Sequence, residues 1–125
     1  MEIKTAVTAL GALAQETRLA IFRLLIEAGP DGVAAGSIGE TLEVPGATLS
    51  FHLKELARAG LVSSRQERQF IYYAVDFGRM TELMTYLTQN YCQGMPRECL
   101  TVVETALGRY CPPQLKPRKT KVKRN

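Results

Sequence analysis

Three cysteines, Cys92, Cys99 and Cys111, fall late in a chain of 125 residues whose one histidine, His52, lies well upstream of them. Thiolates bind soft ions. Cys99 lies in the first turn of a helix expected over 97–109, where the helix dipole and the neighbouring Arg97 favour the ionised thiol. Cys92 follows the end of a helix expected over 77–91, and Cys111 lies just past the last helix, near Arg109. Zinc takes four ligands, so three sulfurs leave it one short unless water or a second chain contributes. Trivalent arsenic or antimony forms three pyramidal bonds to sulfur and is completed by three cysteines. Three free cysteines also serve as small apolar fillers. An intact helix between Cys99 and Cys111 would separate them by roughly 18 Å, at about 1.5 Å per residue. A single ion therefore requires a later helix start, a Cys111 from a second protomer, or a Cys92–Cys99 pair with another donor; two sulfurs suffice for methylated As(III).

A second constellation lies in "ATLSFHLKELARAGLV", residues 47–62. At about 100° per residue, Leu49, Leu53 and Leu56 share a narrow inward sector. Ala47, Phe51, Lys54 and Arg58 fall opposite, at i, i+4, i+7 and i+11. A small residue, an aromatic ring and two cations in line suit a DNA major groove. The small residue permits close approach, the ring meets a thymine methyl, and the cations meet phosphates or guanine edges. Thr48 and Ser50 at the helix start are placed for base edges or backbone, and His52 falls at the margin of the two sectors. Arg65 and Arg68, in the segment that follows, suit phosphate contact. Against this stand plainer roles: Phe51 covering a neighbour, a solvated charged face, and a histidine that only satisfies a structural hydrogen bond.

These residues need a frame, and the chain supplies one. "EIKTAVTALGALA" carries Ile3, Val7, Leu10 and Ala14 on one helical stripe. "ETRLAIFRLLIEAGP" opens on an acid, is apolar around much of its girth and stops at Gly29-Pro30, the pattern of a buried central helix. Residues 34–42 predict a short helix, "EVPG" a turn, and 46–59 the helix of the second constellation, ended by Gly60. "LVSSRQERQFIYYAVD" alternates β-forming residues around a polar centre and predicts a hairpin, without the glycine usual at a tight turn. Phe77, Met80, Leu83, Met84, Leu87 and Tyr91 mark the next helix, and Leu100, Val103, Ala106, Leu107 and Tyr110 the last, which Pro112-Pro113 ends. The expectation is a mainly α chain with a β-hairpin: a winged helix-turn-helix with extra N- and C-terminal helices. Residues 1–110 would form the domain, and 111–125 a basic disordered tail.

Composition is that of a globular protein, 46% apolar and 22% charged. The net charge of +4 is misleading, because residues 116–124 hold six of the sixteen bases and no acid. The rest of the chain is slightly acidic, so DNA affinity must depend on where charge sits in the fold. No apolar run approaches the roughly twenty residues of a membrane helix, and no apolar leader opens the chain, which is read as cytoplasmic with no membrane partner. One histidine without a nucleophile partner, and no phosphate loop, give no catalytic constellation.

The run "LAQETRLAIFRLL", the spacing to "LSFHLKELARAGLV", and an arginine followed by "IYYAV" together resemble the ArsR/SmtB family of winged-helix repressors, over roughly residues 8–90. The resemblance implies a homodimer on double-stranded operator DNA, released when a toxic metal or metalloid binds. It places Thr48, Ser50 and His52 in the recognition helix, Arg65 and Arg68 in the wing, and the first and fifth helices in the dimer interface. It also implies an arsenic-responsive type with C-terminal cysteines. "AAGSIGETL" lacks the cysteine motif of the founding arsenic sensors, and no histidine follows Asp76 to complete a fifth-helix zinc site. The expected inducer is As(III), with Sb(III) or methylated As(III) as variants, and no cofactor is needed for folding. A disulfide or polysulfide switch at the same cysteines is the alternative signal, and a protein-binding module anchored by Phe51 the alternative of another class.

Overall fold

The computed structural model describes residues 1–90. The expected helix over 97–109, the three cysteines, the boundary at 110 and the basic tail lie outside the described residues. Met1–Leu87 form one compact unit. It contains helices α1 (Ile3–Leu13) and α2 (Glu16–Ala28), strand β1 (Val33–Ala34), helices α3 (Ala35–Leu42) and α4 (Gly46–Arg58), strands β2 (Val62–Glu67) and β3 (Phe70–Val75), and helix α5, which begins at Phe77 and runs to Thr88.

Local chemistry sets the element ends. The Gln15 side chain accepts a hydrogen bond from the Arg18 amide at 2.9 Å and caps the start of α2. Gly29, at φ 82°, closes that helix with its amide bonded to the Leu25 and Ile26 carbonyls. Pro45 stands one residue before the first turn of α4, and its carbonyl accepts from Leu49 at 2.8 Å. Asp76 caps α5, its Oδ1 accepting from the Arg79 amide at 3.0 Å.

The hairpin has a third strand that alternation could not reveal. Ala34, expected in the helix over 34–42, instead pairs with Tyr72, and Val33 with Tyr73, so the antiparallel sheet runs β1-β3-β2. Two residues are too short for a period of two to show. The pairing depends on Gly32: at φ 79°, a Cβ there would stand 2.5 Å from the Tyr73 carbonyl oxygen. β2 and β3 pair from Val62↔Val75 to Glu67↔Phe70, leaving Arg68 and Gln69 as the turn. Arg68 takes the left-handed conformation, φ 60°, that glycine would adopt more readily.

The core gathers Ile21, Phe22 and Leu25 of α2, Ile38 of α3, Leu49, Leu53 and Leu56 of α4, Leu61, and Leu83 of α5. α2 is central, as its girth of apolar residues predicts. α1 packs through small residues, Ala6 and Ala9, and turns its larger stripe outward: Ile3 is 65% and Val7 60% exposed. Phe77, Met84 and Leu87 of α5 are exposed as well.

Candidate nucleic-acid interface

α4 separates its residues into two faces. Leu49, His52, Leu53 and Leu56 are buried, whereas Ala47, Thr48, Ser50, Phe51, Lys54 and Arg58 are exposed. The inward leucines fix the rotation of the helix, and that rotation presents the other six residues together. Phe51 is 55% exposed and touches the His52 ring edge-on, with centroids 5.4 Å apart. Arg58 pairs with Glu55 at 3.0 Å, so its charge is partly balanced before any phosphate approaches. No ion pair holds Lys54 among the described residues.

His52 does not share the exposed face. It is 7% exposed, and its Nδ1 lies 3.2 Å from the Arg18 guanidinium. Burial, with the nearby Arg18 charge, lowers its pKa from the ordinary histidine value. A guanidinium only donates, so the contact has Nδ1 accepting from Arg18, which suits the neutral tautomer with its proton on Nε2. Arg18 was visible in the sequence only as part of "TRL"; its partners lie on other helices and have no local signature.

The two wing arginines are not equivalent. Arg65 donates from Nε to Glu67 at 2.8 Å and from a terminal nitrogen to the Asp31 carbonyl at 2.9 Å. Its guanidinium also lies 4.8 Å from the centre of the Tyr72 ring. The Glu67 hydrogen bond is the first cause of its raised pKa. Arg68 lies at the tip, exposed, with no ion pair among the described residues. The wing thus offers one arginine secured within the fold and one exposed at its tip.

Among the described residues no three acidic, histidine or cysteine side chains converge on a point that could hold a metal ion. None of the described helices is long and apolar enough to cross a membrane. A cleft of about 240 Å³ lies between α1, α2 and α4, lined by Thr8, Gly11, Ala12, Arg18, Glu55, Arg58 and Ala59.

A helix-turn-helix whose second helix bares a small, polar, aromatic and basic face, followed by a β wing with an arginine at its tip, defines a winged helix-turn-helix DNA-binding protein. Known proteins agree. Residues 13–65 match the family described as "Helix-turn-helix domain". The transcriptional activator HlyU of Vibrio cholerae is 34% identical over 88 residues, 70% of this chain and 79% of the relative. YceK, an HTH-type transcriptional regulator of Bacillus subtilis, is 36% identical over 76 residues, 61% of this chain and 72% of the relative. The solved structure of Vibrio cholerae HlyU superposes with a TM-score of 0.58, covering 74% of this chain and all of that one. A homodimeric winged helix-turn-helix DNA-binding domain from Mycobacterium bovis, described as a possible ArsR-family regulator, gives 0.56 at 26% identity, covering 73% of this chain and 84% of that one. The chain belongs to the winged helix-turn-helix transcriptional regulators of the ArsR/HlyU type.

Proposed function

We propose that this regulator is a cytoplasmic homodimeric repressor, released from its operator when trivalent arsenic binds the thiolates of Cys92, Cys99 and Cys111. The observation that carries the DNA half is the sorting of α4, which leaves Ala47, Thr48, Ser50, Phe51, Lys54 and Arg58 together on an exposed face. Two such helices in a dimer enter successive major grooves, so the operator is an imperfect palindrome. The outward stripes Ile3-Val7-Leu10 of α1 and Phe77-Met84-Leu87 of α5 supply apolar surface for the second copy.

The signal half is supported by placement and chemistry. All three cysteines follow α5, and three sulfurs with no histidine among them match a trivalent soft ion better than zinc. Sb(III) or methylated As(III) would use the same donors. A shift in the relative pose of the two α4 helices needs a coupling free energy of only about 1–3 kcal/mol to change affinity some 5- to 150-fold. Fluorescence anisotropy of the reduced protein on its own upstream DNA, titrated with arsenite, tests this reading. Release in the wild type, lost in Cys92→Ser, Cys99→Ser and Cys111→Ser, supports it; tight binding indifferent to arsenite overturns it.

A second reading keeps the DNA and changes the signal to thiol oxidation. One solved Vibrio cholerae HlyU structure is described as reduced. Release by peroxide or polysulfide, reversed by a thiol reductant and unmoved by arsenite, distinguishes it.

A further inference from the structure

Arg18 occupies a junction of three helices. Its own amide is tied by Gln15 at the start of α2, its Nε donates to the Ala12 carbonyl in the last turn of α1 at 2.6 Å, and a terminal nitrogen reaches His52 Nδ1 on α4 at 3.2 Å. The guanidinium is planar, so the directions of its N–H groups are fixed relative to one another. Fixing one bond therefore fixes the direction of the other. His52 in turn stands beside Phe51, whose ring it meets edge-on, and beside the buried Leu53.

The arrangement differs from ordinary core packing. The leucines of α4 set which face of the helix meets the core, but apolar contact is non-directional and defines the fine angle of the helix less sharply than a directed bond does. A hydrogen bond to one ring nitrogen is directional, and it weakens steeply when the donor angle departs from linear. The Arg18–His52 bond is thus suited to fix the angular setting of α4, and through it where Phe51 and Lys54 point. Because the other branch of the same guanidinium holds the end of α1, that setting is referred to the helix whose outer stripe is apolar and exposed.

We propose that Arg18 is a positioning residue for DNA reading: its single guanidinium ties the C-terminal turn of α1 to His52 and holds the exposed face of α4 in register with the bases. The proposal rests on α4 being the DNA-reading helix. Positioning separates from general stability because base contacts require register, whereas phosphate attraction by Lys54, Arg58 and Arg68 tolerates its loss.

The test compares a duplex selected by the wild-type protein from a randomised pool with a scrambled duplex of equal length, by anisotropy at fixed salt, with thermal melting of every variant. Arg18→Lys keeps the charge but replaces the rigid planar fork by an ammonium on a flexible stem, so its donors no longer fix one bond direction relative to the other. His52→Phe keeps a ring and removes the acceptor. His52→Asn retains an acceptor, Oδ1, close to where Nδ1 stands. The expected result is at least a tenfold fall in the selected-to-scrambled affinity ratio for Arg18→Lys and His52→Phe, with scrambled-duplex affinity within twofold of wild type. His52→Asn should keep the ratio within threefold. A wild-type ratio in folded Arg18→Lys or His52→Phe overturns the proposal, as does a loss in His52→Asn as large as in His52→Phe. A loss of selected and scrambled binding in step with melting temperature overturns it too, by showing stability alone. A wild-type protein that selects no sequence overturns the DNA-reading assignment of α4 first, and the positioning role with it.

Discussion

Arg65 and Asp31 stand 34 positions apart in the chain, and the Arg65 guanidinium joins them by donating to the Asp31 carbonyl at 2.9 Å. The bond ties the middle of β2 to the turn that enters β1. An arginine so held braces the wing, and on the proposed DNA-binding reading the phosphate contact falls to Arg68 at the tip. Replacing Arg68 by Ala should lower the slope of log affinity against log salt by about one unit. Arg65→Ala should change that slope by less, while speeding amide exchange in the β2–β3 turn. Equal slopes for the two variants would remove the distinction.

Arg68 also pays for its place with a positive φ. Glycine carries no Cβ penalty there, so Arg68→Gly should raise stability by roughly 1 kcal/mol, by urea denaturation, while weakening DNA binding. A destabilised Arg68→Gly would mean that the turn gains more from the arginine stem than its conformation costs.

Gly32 has no comparable freedom. With φ 79° and the Tyr73 carbonyl oxygen 2.5 Å from the place of a Cβ, Gly32→Ala must move the β1–β3 pairing. A loss of more than about 2 kcal/mol is expected, together with weaker protection of the Tyr73 region in hydrogen exchange.

His52 gives stability a pH dependence of known sign. Its pKa is lowered in the folded state, by burial first and the Arg18 charge second, so the folded chain binds fewer protons than the unfolded one. This contribution is fully present above the unfolded value of about 6.5 and is lost as pH falls from there toward the lower folded value. In urea titrations between pH 8 and 5, the stability advantage of wild type over His52→Asn should shrink on the acid side. A constant difference across that range would show that His52 does not titrate as its surroundings imply.

The outward stripe of α1 predicts a surface substitution with an assembly effect. Val7→Glu lies on an exposed position, so folding should be little changed, but sedimentation should shift from dimer to monomer. A wild type that is monomeric at micromolar concentration would refute the dimer itself.

The helices were legible because their apolar residues recur at helical spacing and their ends carry Gly29, Pro45 and Gly60. The facing of α4 was legible for the same reason, through Leu49, Leu53 and Leu56. α1 shows the limit of that signal. The stripe Ile3-Val7-Leu10 announces a helix, but burial in this chain falls to Ala6 and Ala9, whose small size leaves little trace in a hydropathy pattern. β1 is two residues long and exists only through its partner β3. His52 sat at the boundary of two sectors, and what decides its side is an arginine 34 residues earlier. Arg65 and Arg68 read alike as cations because only the fold brings Asp31 and Tyr72 to one of them. Periodicity reports the chain's own neighbours, and these roles are set by distant ones.

The division of α4 into a buried face and an exposed one has an evolutionary and practical consequence. Its core face, Leu49, Leu53 and Leu56, is occupied by folding, whereas Thr48, Ser50, Phe51 and Lys54 make little of the interior. If α4 reads DNA as proposed, target preference can drift, or be rewritten in a library of four randomised codons, without the scaffold being rebuilt each time.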